Sequence, residues 1–143
     1  MIINSDGEYL MYYVYDWYGD NSVHAASSTD GIAWTRFRII GFKDNSMDPD
    51  VIQLDDGSYR IYFVNYPILS DFRSGPLSIH SAVSSDGVTW TYRGIEIQPA
   101  EPWERTWVGD PDTVEIGNGS HRMYYYGMDE NDNSDIVSAV SQW

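Results

Sequence analysis

The stretch Ser-Ile-His-Ser-Ala-Val-Ser-Ser-Asp-Gly-Val-Thr-Trp, residues 78–90, occurs twice in the chain. Shifted back by 56 positions, it aligns without a gap with Ser-Val-His-Ala-Ala-Ser-Ser-Thr-Asp-Gly-Ile-Ala-Trp, residues 22–34. A shortened third copy, Ile-Val-Ser-Ala-Val-Ser, occupies residues 136–141. Asp-Gly between two apolar runs favours a hairpin turn, because glycine accepts a positive φ without steric cost. The repeat therefore predicts a protein built from β-hairpins.

Two further elements recur in a fixed order around this stretch. An aromatic segment follows Gly7, Gly57 and Gly119, and reads Tyr-Leu-Met-Tyr-Tyr-Val, Tyr-Arg-Ile-Tyr-Phe-Val and His-Arg-Met-Tyr-Tyr-Tyr. A segment opened by Asp-Pro-Asp lies ahead of the second and third copies, at residues 48–50 and 110–112. Proline suits the first residues of a strand, where its missing N–H does no harm. Together with the segment after each tryptophan, these elements make a unit of four antiparallel strands, as in a β-propeller blade.

The prediction is an all-β single domain over residues 1–143, a partial propeller of about three blades at 1–41, 42–98 and 99–143. The first and third units each lack one strand of the pattern, so the blades are expected to hold three, four and three strands. Complete propellers have at least about four blades, so the chain is expected to be either a fragment of a longer protein or a protomer that a second chain completes. No segment has a helical period. The strands are predicted near 6–15, 22–28, 33–41, 48–54, 58–65, 78–84, 90–97, 110–116, 120–127 and 135–141.

Composition excludes several classes of function. The net charge is −14, from 22 acidic and 8 basic residues, which argues against nucleic acid and membrane partners because both need clustered Lys and Arg. The chain has no cysteine, so disulfides and thiolate chemistry are excluded. No apolar run has the length of a membrane span and no signal peptide is visible, so the location of the protein stays unpredicted. The acidic surplus fits either simple solubility or a pocket lined by carboxylates.

The order Asp-Pro-Asp-Val-Ile, Asp-Asp-Gly-Ser-Tyr-Arg-Ile-Tyr-Phe and Ser-Ala-Val-Ser-Ser-Asp-Gly-Val-Thr-Trp in residues 48–90 resembles blades of the five-bladed propeller glycosidases. That superfamily includes glycoside hydrolase families 43, 32, 62, 68 and 130. The resemblance implies that acidic residues at the starts of the inner strands converge on a central pocket. It makes Asp48 and Asp110 the candidate catalytic residues. Trp-Val-Gly-Asp-Pro at 107–111 is similar to the motif that stabilises the transition state in invertase-like members.

Two departures from that pattern weigh against a complete catalytic set. The general acid of the family is a Glu at the start of an inner strand, and no Glu stands at such a position here. Glu101 and Glu104 lie before the third inner strand, outside any matching motif. The inner strand of the first blade, which often carries the catalytic base, is missing from the pattern. Asp48 and Asp110 therefore have an alternative interpretation, as caps of the turns into their strands.

Other residues are candidates for binding a substrate. Asp50 and Asp112 lie two positions along each Asp-Pro strand and so share its face with the first Asp. Sugar rings could stack on a tryptophan near Asp110, and two arginines at equivalent places could bind a carboxylate or pair with a nearby Asp. His24 and His80 recur at one blade position, which favours hydrogen bonding within the blade. The substrate-binding candidates are Asp50, Asp112, Trp103, Trp107, Arg60 and Arg122.

Cofactor and metal chemistry have little support in the sequence. It contains no glycine-rich phosphate loop, no nucleophile elbow, no His-Glu-x-x-His and no Cys-x-x-Cys. Residues 129–135 carry oxygen ligands at alternate positions, as the start of a calcium loop does. The glycine at its sixth place is absent, and Val140 stands where the bidentate Glu should be. We therefore expect no cofactor and no metal, and interpret this segment as a solvated hairpin loop.

Three functions remain open at this point. The first is a carbohydrate-binding or glycosidase-like module with an acidic central pocket and an incomplete catalytic set. The second is a non-catalytic structural or assembly unit, and the third is an active glycoside hydrolase whose site is completed by oligomerisation. Whether the chain is an enzyme is left undecided, and any enzyme activity is expected to be glycoside hydrolysis. The expected partners are a second copy of the chain, in a homodimer, and a carbohydrate ligand.

Overall fold

The computed structural model describes residues 1–4, 6–17, 20–37, 39, 45–65 and 76–142. These residues form strands and turns, with one 3-10 turn at Pro102–Glu104 and no α-helix. No helix in this part of the chain has the length and apolarity that a membrane crossing requires. The strands are β1 (Ile2–Ile3), β2 (Tyr9–Trp17), β3 (Asp20–Ser28), β4 (Thr35–Phe37), β5 (Ser46–Gln53), β6 (Tyr59–Asn65), β7 (Ser78–Ser84), β8 (Thr91–Ile97), β9 (Trp107–Gly117), β10 (Ser120–Met128) and β11 (Ser134–Gln142).

The strands form three antiparallel sheets, each a meander in which a strand pairs with its neighbours in the chain. The first sheet contains β1 to β4, the second β5 to β8 and the third β9 to β11. The described sheets thus hold four, four and three strands, and the predicted count of three for the first sheet was wrong. The added strand is Ile2–Ile3, which pairs with Tyr9 and Leu10 and is too short to show a sequence pattern. The all-β, partial-propeller fold is confirmed.

The predicted strand over 33–41 is described only in part. Thr35–Phe37 pairs with Ala25, Ala26 and Ser27 of β3, while positions 38, 40 and 41 lie outside the described residues. The aromatic strand at Tyr59–Asn65 occupies the middle of the second sheet, and its first six residues are all buried. A strand covered on both faces needs apolar residues at successive positions, which is why it shows no polar alternation.

The Asp-Gly turns have the predicted hairpin geometry in both copies. Gly31 has φ of +72° and Gly87 has φ of +73°, values that a residue with a side chain rarely adopts. In the second copy, Asp86 Oδ1 accepts hydrogen bonds from the amides of Val88 and Thr89, at 2.8 and 2.7 Å. Asp30 makes the equivalent pair of bonds in the first copy. The repeat in sequence is therefore a repeat of one hydrogen-bonded turn.

The core lies between the sheets in two clusters. The first joins the first and second sheets through residues such as Leu10, Tyr12, Ile61, Phe63 and Trp90. The second joins the second and third sheets through residues such as Tyr62, Val64, Ile79, Val108 and Met123. The second sheet is thus the central layer of the described structure.

The repeated tryptophans were predicted to be buried at equivalent places, and only one is. Trp90 is buried and packs edge-on against Tyr12 of the first sheet, with ring centroids 5.7 Å apart. Trp34 is only half-buried, because no described sheet precedes the first one and could cover it. The prediction for the repeated histidines is confirmed: His80 Nδ1 hydrogen-bonds the Tyr92 hydroxyl at 2.7 Å, and His24 Nε2 hydrogen-bonds Ser22 at 3.1 Å.

Candidate functional site

The Asp-Pro motifs of β5 and β9 form matching β-bulges. In β5 the pairing register jumps between Met47 and Asp50, and in β9 it jumps across the equivalent Asp-Pro pair. The bulged residues, Asp48 and Asp110, have φ of +50° and +48°. This left-handed backbone is uncommon outside glycine, although Asp adopts it more readily than most residues, and a bulge re-aims the side chain that it carries. The same backbone geometry at the same position of two adjacent sheets indicates that Asp48 and Asp110 have the same role.

The two bulges open onto one cavity of about 440 Å³. Equivalent positions of the sheets line it: Asp48 of β5 and Asp110 of β9, then Val14 of β2, Val64 of β6 and Tyr126 of β10. The remaining lining residues are Asn21, Met47, Leu77, Trp107 and Gly109. A cavity lined by repeat-related positions lies where the blades converge, which is where the resemblance places a central pocket.

The two bulged aspartates interact electrostatically. Burial, the negative charge of Asp110 and a hydrogen bond with Asp110 together raise the pKa of Asp48 to about 6. Two carboxyl groups that share a partly buried site resist double ionisation, so a proton stays on the pair to a higher pH than on a lone Asp. The cavity can therefore present a neutral Asp48 carboxyl group in mildly acidic solution. This is a chemical property that a pair of turn caps does not need.

Asp50 and Asp112 lie outside the described lining of this cavity. Asp50 is half-buried, burial raises its pKa, and its Oδ2 atom finds no hydrogen-bond partner among the described residues. Asp112 is exposed. In a regular strand, side chains two residues apart point to the same side of the sheet. The bulge inserts one extra residue, so the side chains of Asp50 and Asp112 do not share the direction of those of Asp48 and Asp110. Their predicted role in binding stays a prediction.

The predicted tryptophans occupy different surroundings. Trp107 lines the cavity beside Asp110. Trp103 belongs to the 3-10 turn at Pro102–Glu104, is about half exposed, and lies outside the described lining. The structure therefore brings Trp107 together with the two bulged aspartates and leaves Trp103 apart from them.

The two arginines also lie outside the described lining. Arg60 Nη2 forms an ion pair with Glu96 Oε1 at 3.0 Å, between the second and third sheets. Its partner is thus a glutamate of β8 rather than the aspartate expected from sequence. Arg122 Nη1 donates a 3.3 Å hydrogen bond to Ser138 Oγ. Both arginines stay candidates for binding only as predictions.

Glu104 is placed differently from a catalytic acid at an inner-strand start. Its side chain is buried, and its Oε2 atom accepts a 2.8 Å hydrogen bond from the Tyr125 hydroxyl. Burial and this contact raise the pKa of Tyr125. The segment 129–135 likewise forms a closed turn, in which Asp129 Oδ1 accepts hydrogen bonds from the amides of Asn131 and Asn133. Within the described chain, no group of three or more acidic or histidine side chains is arranged to hold a metal ion.

Two polar residues of the cavity escaped the sequence analysis. Tyr126 lies at the repeat position of Val64, and Asn21 lies at the repeat position of Leu77, at spacings of 62 and 56. The signal that could have found them is a polar residue standing in one blade where its counterpart is apolar. They add a hydroxyl and an amide to the two carboxyl groups.

Comparison with solved structures defines the class of fold. The chain matches a thermostable family-43 glycoside hydrolase with a TM-score of 0.76 and 21% identity, over 99% of this chain and 49% of that chain. A family 117 glycoside hydrolase from the marine bacterium Zobellia galactanivorans matches with a TM-score of 0.62 and 22% identity, over 75% of this chain and 40% of the other. A family 32 β-fructofuranosidase from Bombyx mori matches with a TM-score of 0.67 and 12% identity, over 94% and 32%.

The chain therefore has the fold of the propeller glycosidases, in the form of a partial propeller. It spans half or less of the length of the solved chains it matches. No family model and no curated protein matches the sequence. At identities this low the likeness establishes the fold, and function has to be argued from the site.

Proposed function

We propose that the cavity containing Asp48 and Asp110 binds a carbohydrate, and that the chain is a glycosidase-like propeller module. The observation that carries this proposal is the pair of strained, matching bulges that aim two carboxyl groups into one cavity. Strained non-glycine residues persist where the surrounding structure holds them, and they concentrate at functional sites.

The composition of the cavity suits a sugar. Carboxylates accept hydrogen bonds from sugar hydroxyls, and the Tyr126 hydroxyl and Asn21 amide add further hydrogen-bonding groups. The flat ring of Trp107 offers an apolar surface to the C–H groups of a pyranose or furanose. A volume of about 440 Å³ lies within the range of small-ligand pockets and accommodates one or two sugar rings.

Glycoside hydrolysis is the second candidate, and the raised pKa of Asp48 favours it. Hydrolysis needs one protonated carboxyl group to donate to the leaving oxygen and one ionised carboxylate across the bond. With a pKa of about 6, Asp48 stays protonated in mildly acidic solution and can fill the first role. Asp110 is hydrogen-bonded to Asp48 and so lies closer than the roughly 5 Å that a glycosidic bond needs between the two carboxyl groups, and the second role requires another carboxylate. The chain lacks the Glu that serves as general acid in the family pattern. We therefore place carbohydrate binding without hydrolysis ahead of hydrolysis.

Binding can be tested by isothermal titration of the chain with arabino- and xylo-oligosaccharides at pH 7. We expect Asp110→Asn and Trp107→Ala to weaken binding by about tenfold or more, since each removes a group that faces the sugar. Asp135→Asn is the control, because it removes an exposed carboxylate of β11 that lies outside the described lining of the cavity and is not a binding candidate. Affinity unchanged by the cavity variants, or no binding of any oligosaccharide, would favour the structural-unit interpretation.

Turnover is tested separately with aryl arabinofuranosides and xylosides. If the chain hydrolyses them, Asp48→Asn is expected to remove activity, and the rate of the native chain should fall as the pH rises through about 6. Activity that survives both Asp48→Asn and Asp110→Asn would refute the assignment of these residues. Binding without turnover supports the module with an incomplete catalytic set.

A further inference from the structure

The contact between the two bulged aspartates implies a shared proton. Asp48 and Asp110 line one cavity, and a hydrogen bond joins their carboxyl groups. An ionised carboxylate only accepts hydrogen bonds, so two carboxyl groups can be joined in this way only when one of them is protonated. The pair therefore holds a proton in the arrangement that the structure shows.

The rest of the described lining supplies no positive charge to the pair. Three titratable side chains line the cavity, namely Asp48, Asp110 and Tyr126. The other described lining residues belong to β2, β3, β5, β6 and β9 or are Leu77, and all of them are uncharged. Within the described lining, therefore, no lysine, arginine or histidine is placed to neutralise a second negative charge when the pair loses its proton.

A sugar in the cavity should make the loss of that proton harder. Burial and the negative charge of Asp110 already raise the pKa of Asp48 to about 6. A bound sugar displaces water from the cavity and lowers the local dielectric constant, which strengthens the repulsion between two negative charges. The hydroxyl groups of a neutral sugar donate hydrogen bonds much as water does, and they bring no positive charge. The stronger repulsion therefore decides, and it favours the protonated pair.

We propose that a neutral carbohydrate binds to this cavity together with one proton, which Asp48 holds against Asp110. This inference rests on the proposed function, because it concerns the same cavity and the same class of ligand. It gives the two aspartates different roles. Asp110 offers oxygen atoms to the hydroxyl groups of the sugar, and Asp48 carries the proton that lets the two carboxyl groups stay side by side once water is displaced.

The coupling predicts the direction in which affinity changes with pH. Below about pH 6 the free chain already holds the proton, so affinity should not depend on pH there. At higher pH, binding has to take up a proton from solution, and affinity should fall until the pH passes the pKa of Asp48 in the complex. If binding raises that pKa by about one pH unit, affinity at high pH is lower by about tenfold.

Isothermal titration of the native chain with xylobiose and with arabinobiose is the first test. Between about pH 5 and about pH 8 we expect the affinity to fall by about tenfold or more. Repeating the titration near pH 7 in two buffers with different enthalpies of ionisation measures the protons exchanged, and we expect net uptake. Affinity that is equal at the two pH values, or net release of protons, would overturn the inference.

A substitution at Asp48 identifies the group that takes up the proton. In Asp48→Asn an amide of similar size can still donate a hydrogen bond to Asp110, but it has no proton to gain or lose. We expect this variant to bind with the same affinity from about pH 5 to about pH 8, without proton uptake. Asp135→Asn is the control, since it removes an exposed carboxylate outside the described lining, and it should keep the native pH dependence. Native pH dependence in Asp48→Asn would assign the proton to another group and contradict the inference.

NMR titration of the carboxyl carbon of Asp48 provides a measurement that does not depend on affinity. The signal can be assigned by its absence from the spectrum of Asp48→Asn. We expect a midpoint near pH 6 in the free chain and a higher midpoint in the chain saturated with the disaccharide. An unchanged midpoint, or binding that does not depend on pH, would refute this inference and leave carbohydrate binding in place. Absence of binding at every pH would refute the proposed function and this inference with it.

Discussion

The second and third sheets carry closely similar strands in different surroundings. Tyr62 and Tyr124 occupy the same repeat position, yet Tyr62 is 2% exposed and Tyr124 is 43% exposed. Arg60 forms a partly buried ion pair with Glu96, whereas Arg122 is half-buried and bonds only to Ser138 in the described structure. A neighbouring sheet accounts for the difference, since the residue types are the same. Burial in a repeat protein is thus set by position in the stack as well as by sequence.

Truncating the paired tyrosines should give the largest contrast. Tyr62→Ala is expected to lower the free energy of unfolding by about 3 to 5 kcal/mol, because it leaves a cavity between two packed sheets. Tyr124→Ala should cost less than about 1 kcal/mol in dilute solution. Equal losses of unfolding free energy in dilute solution would show that the neighbouring sheet does not account for the difference between the two positions.

The two turn glycines offer a contrast of intermediate size. A Cβ at position 87 would come within 2.7 Å of the Tyr12 hydroxyl oxygen, whereas at position 31 the nearest heavy atom lies 4.0 Å away. Both positions have positive φ, so each alanine pays a backbone cost of about 1 to 2 kcal/mol. Gly87→Ala should cost about 2 to 4 kcal/mol in total, because the Tyr12 contact must also shift. Chemical denaturation measures both, and equal losses would show that Tyr12 relaxes freely.

Removing the arginines should give a smaller contrast. Arg60→Ala leaves the Glu96 carboxylate, partly shielded from water, with Ser81 as its remaining described partner, and should cost about 1 to 3 kcal/mol. Arg122→Ala should change stability by less than about 0.5 kcal/mol, since its contact is near the surface. The double variant of Arg60→Ala with Glu96→Gln should recover part of the loss. No recovery would mean that Arg60 acts through packing alone.

The smallest effect is a gain in stability at the bulges. The folded-state pKa of Asp48 is raised from 3.8 to about 6, so the unfolding free energy should fall as pH rises through that window, and the penalty is complete above it. Asp48→Asn should therefore stabilise the chain at pH 7.5 by about 1 to 2 kcal/mol after allowance for solvent screening. It should give no gain near pH 3.5. Asp112→Asn, at an exposed position of the third sheet, is the control and should change little at either pH.

Much of the fold could be predicted because the repeat carries local rules. Asp-Gly turns and alternating or fully apolar strands each fix a short piece of backbone, and their recurrence fixes their order. The Asp-Pro pairs were expected to open strands, but they lie inside β5 and β9, which begin at Ser46 and Trp107. The strand Ile2–Ile3 escaped prediction because two residues have no period. Trp34 was expected to be as buried as Trp90, because the two residues occupy equivalent positions of the repeat. That equivalence does not reveal which sheets have a neighbouring sheet to cover them.

The candidate site could be predicted only in part. Asp48 and Asp110 followed from the Asp-Pro motif, and Asp is among the residues that adopt positive φ, but the bulges depend on pairing with the next strand, which the motif alone does not show. Those bulges also separate Asp50 and Asp112 from the cavity, against the simple alternation of a regular strand. Tyr126 and Asn21 reach the cavity only because the blades converge there, which is a tertiary relation that no single strand expresses.

The meander connectivity of the sheets also bears on how the chain reaches its structure. Every described strand pairs with a strand next to it in sequence, so hairpins form without waiting for distant segments of the chain. The hairpin from Tyr59 to Ser84 supplies apolar side chains to both neighbouring sheets and is the natural nucleus on which they condense. Folding would then spread from the middle of the polypeptide toward both of its ends. Amide hydrogens of Val64 and Ile79 should exchange last, and those of β1 and β11 first.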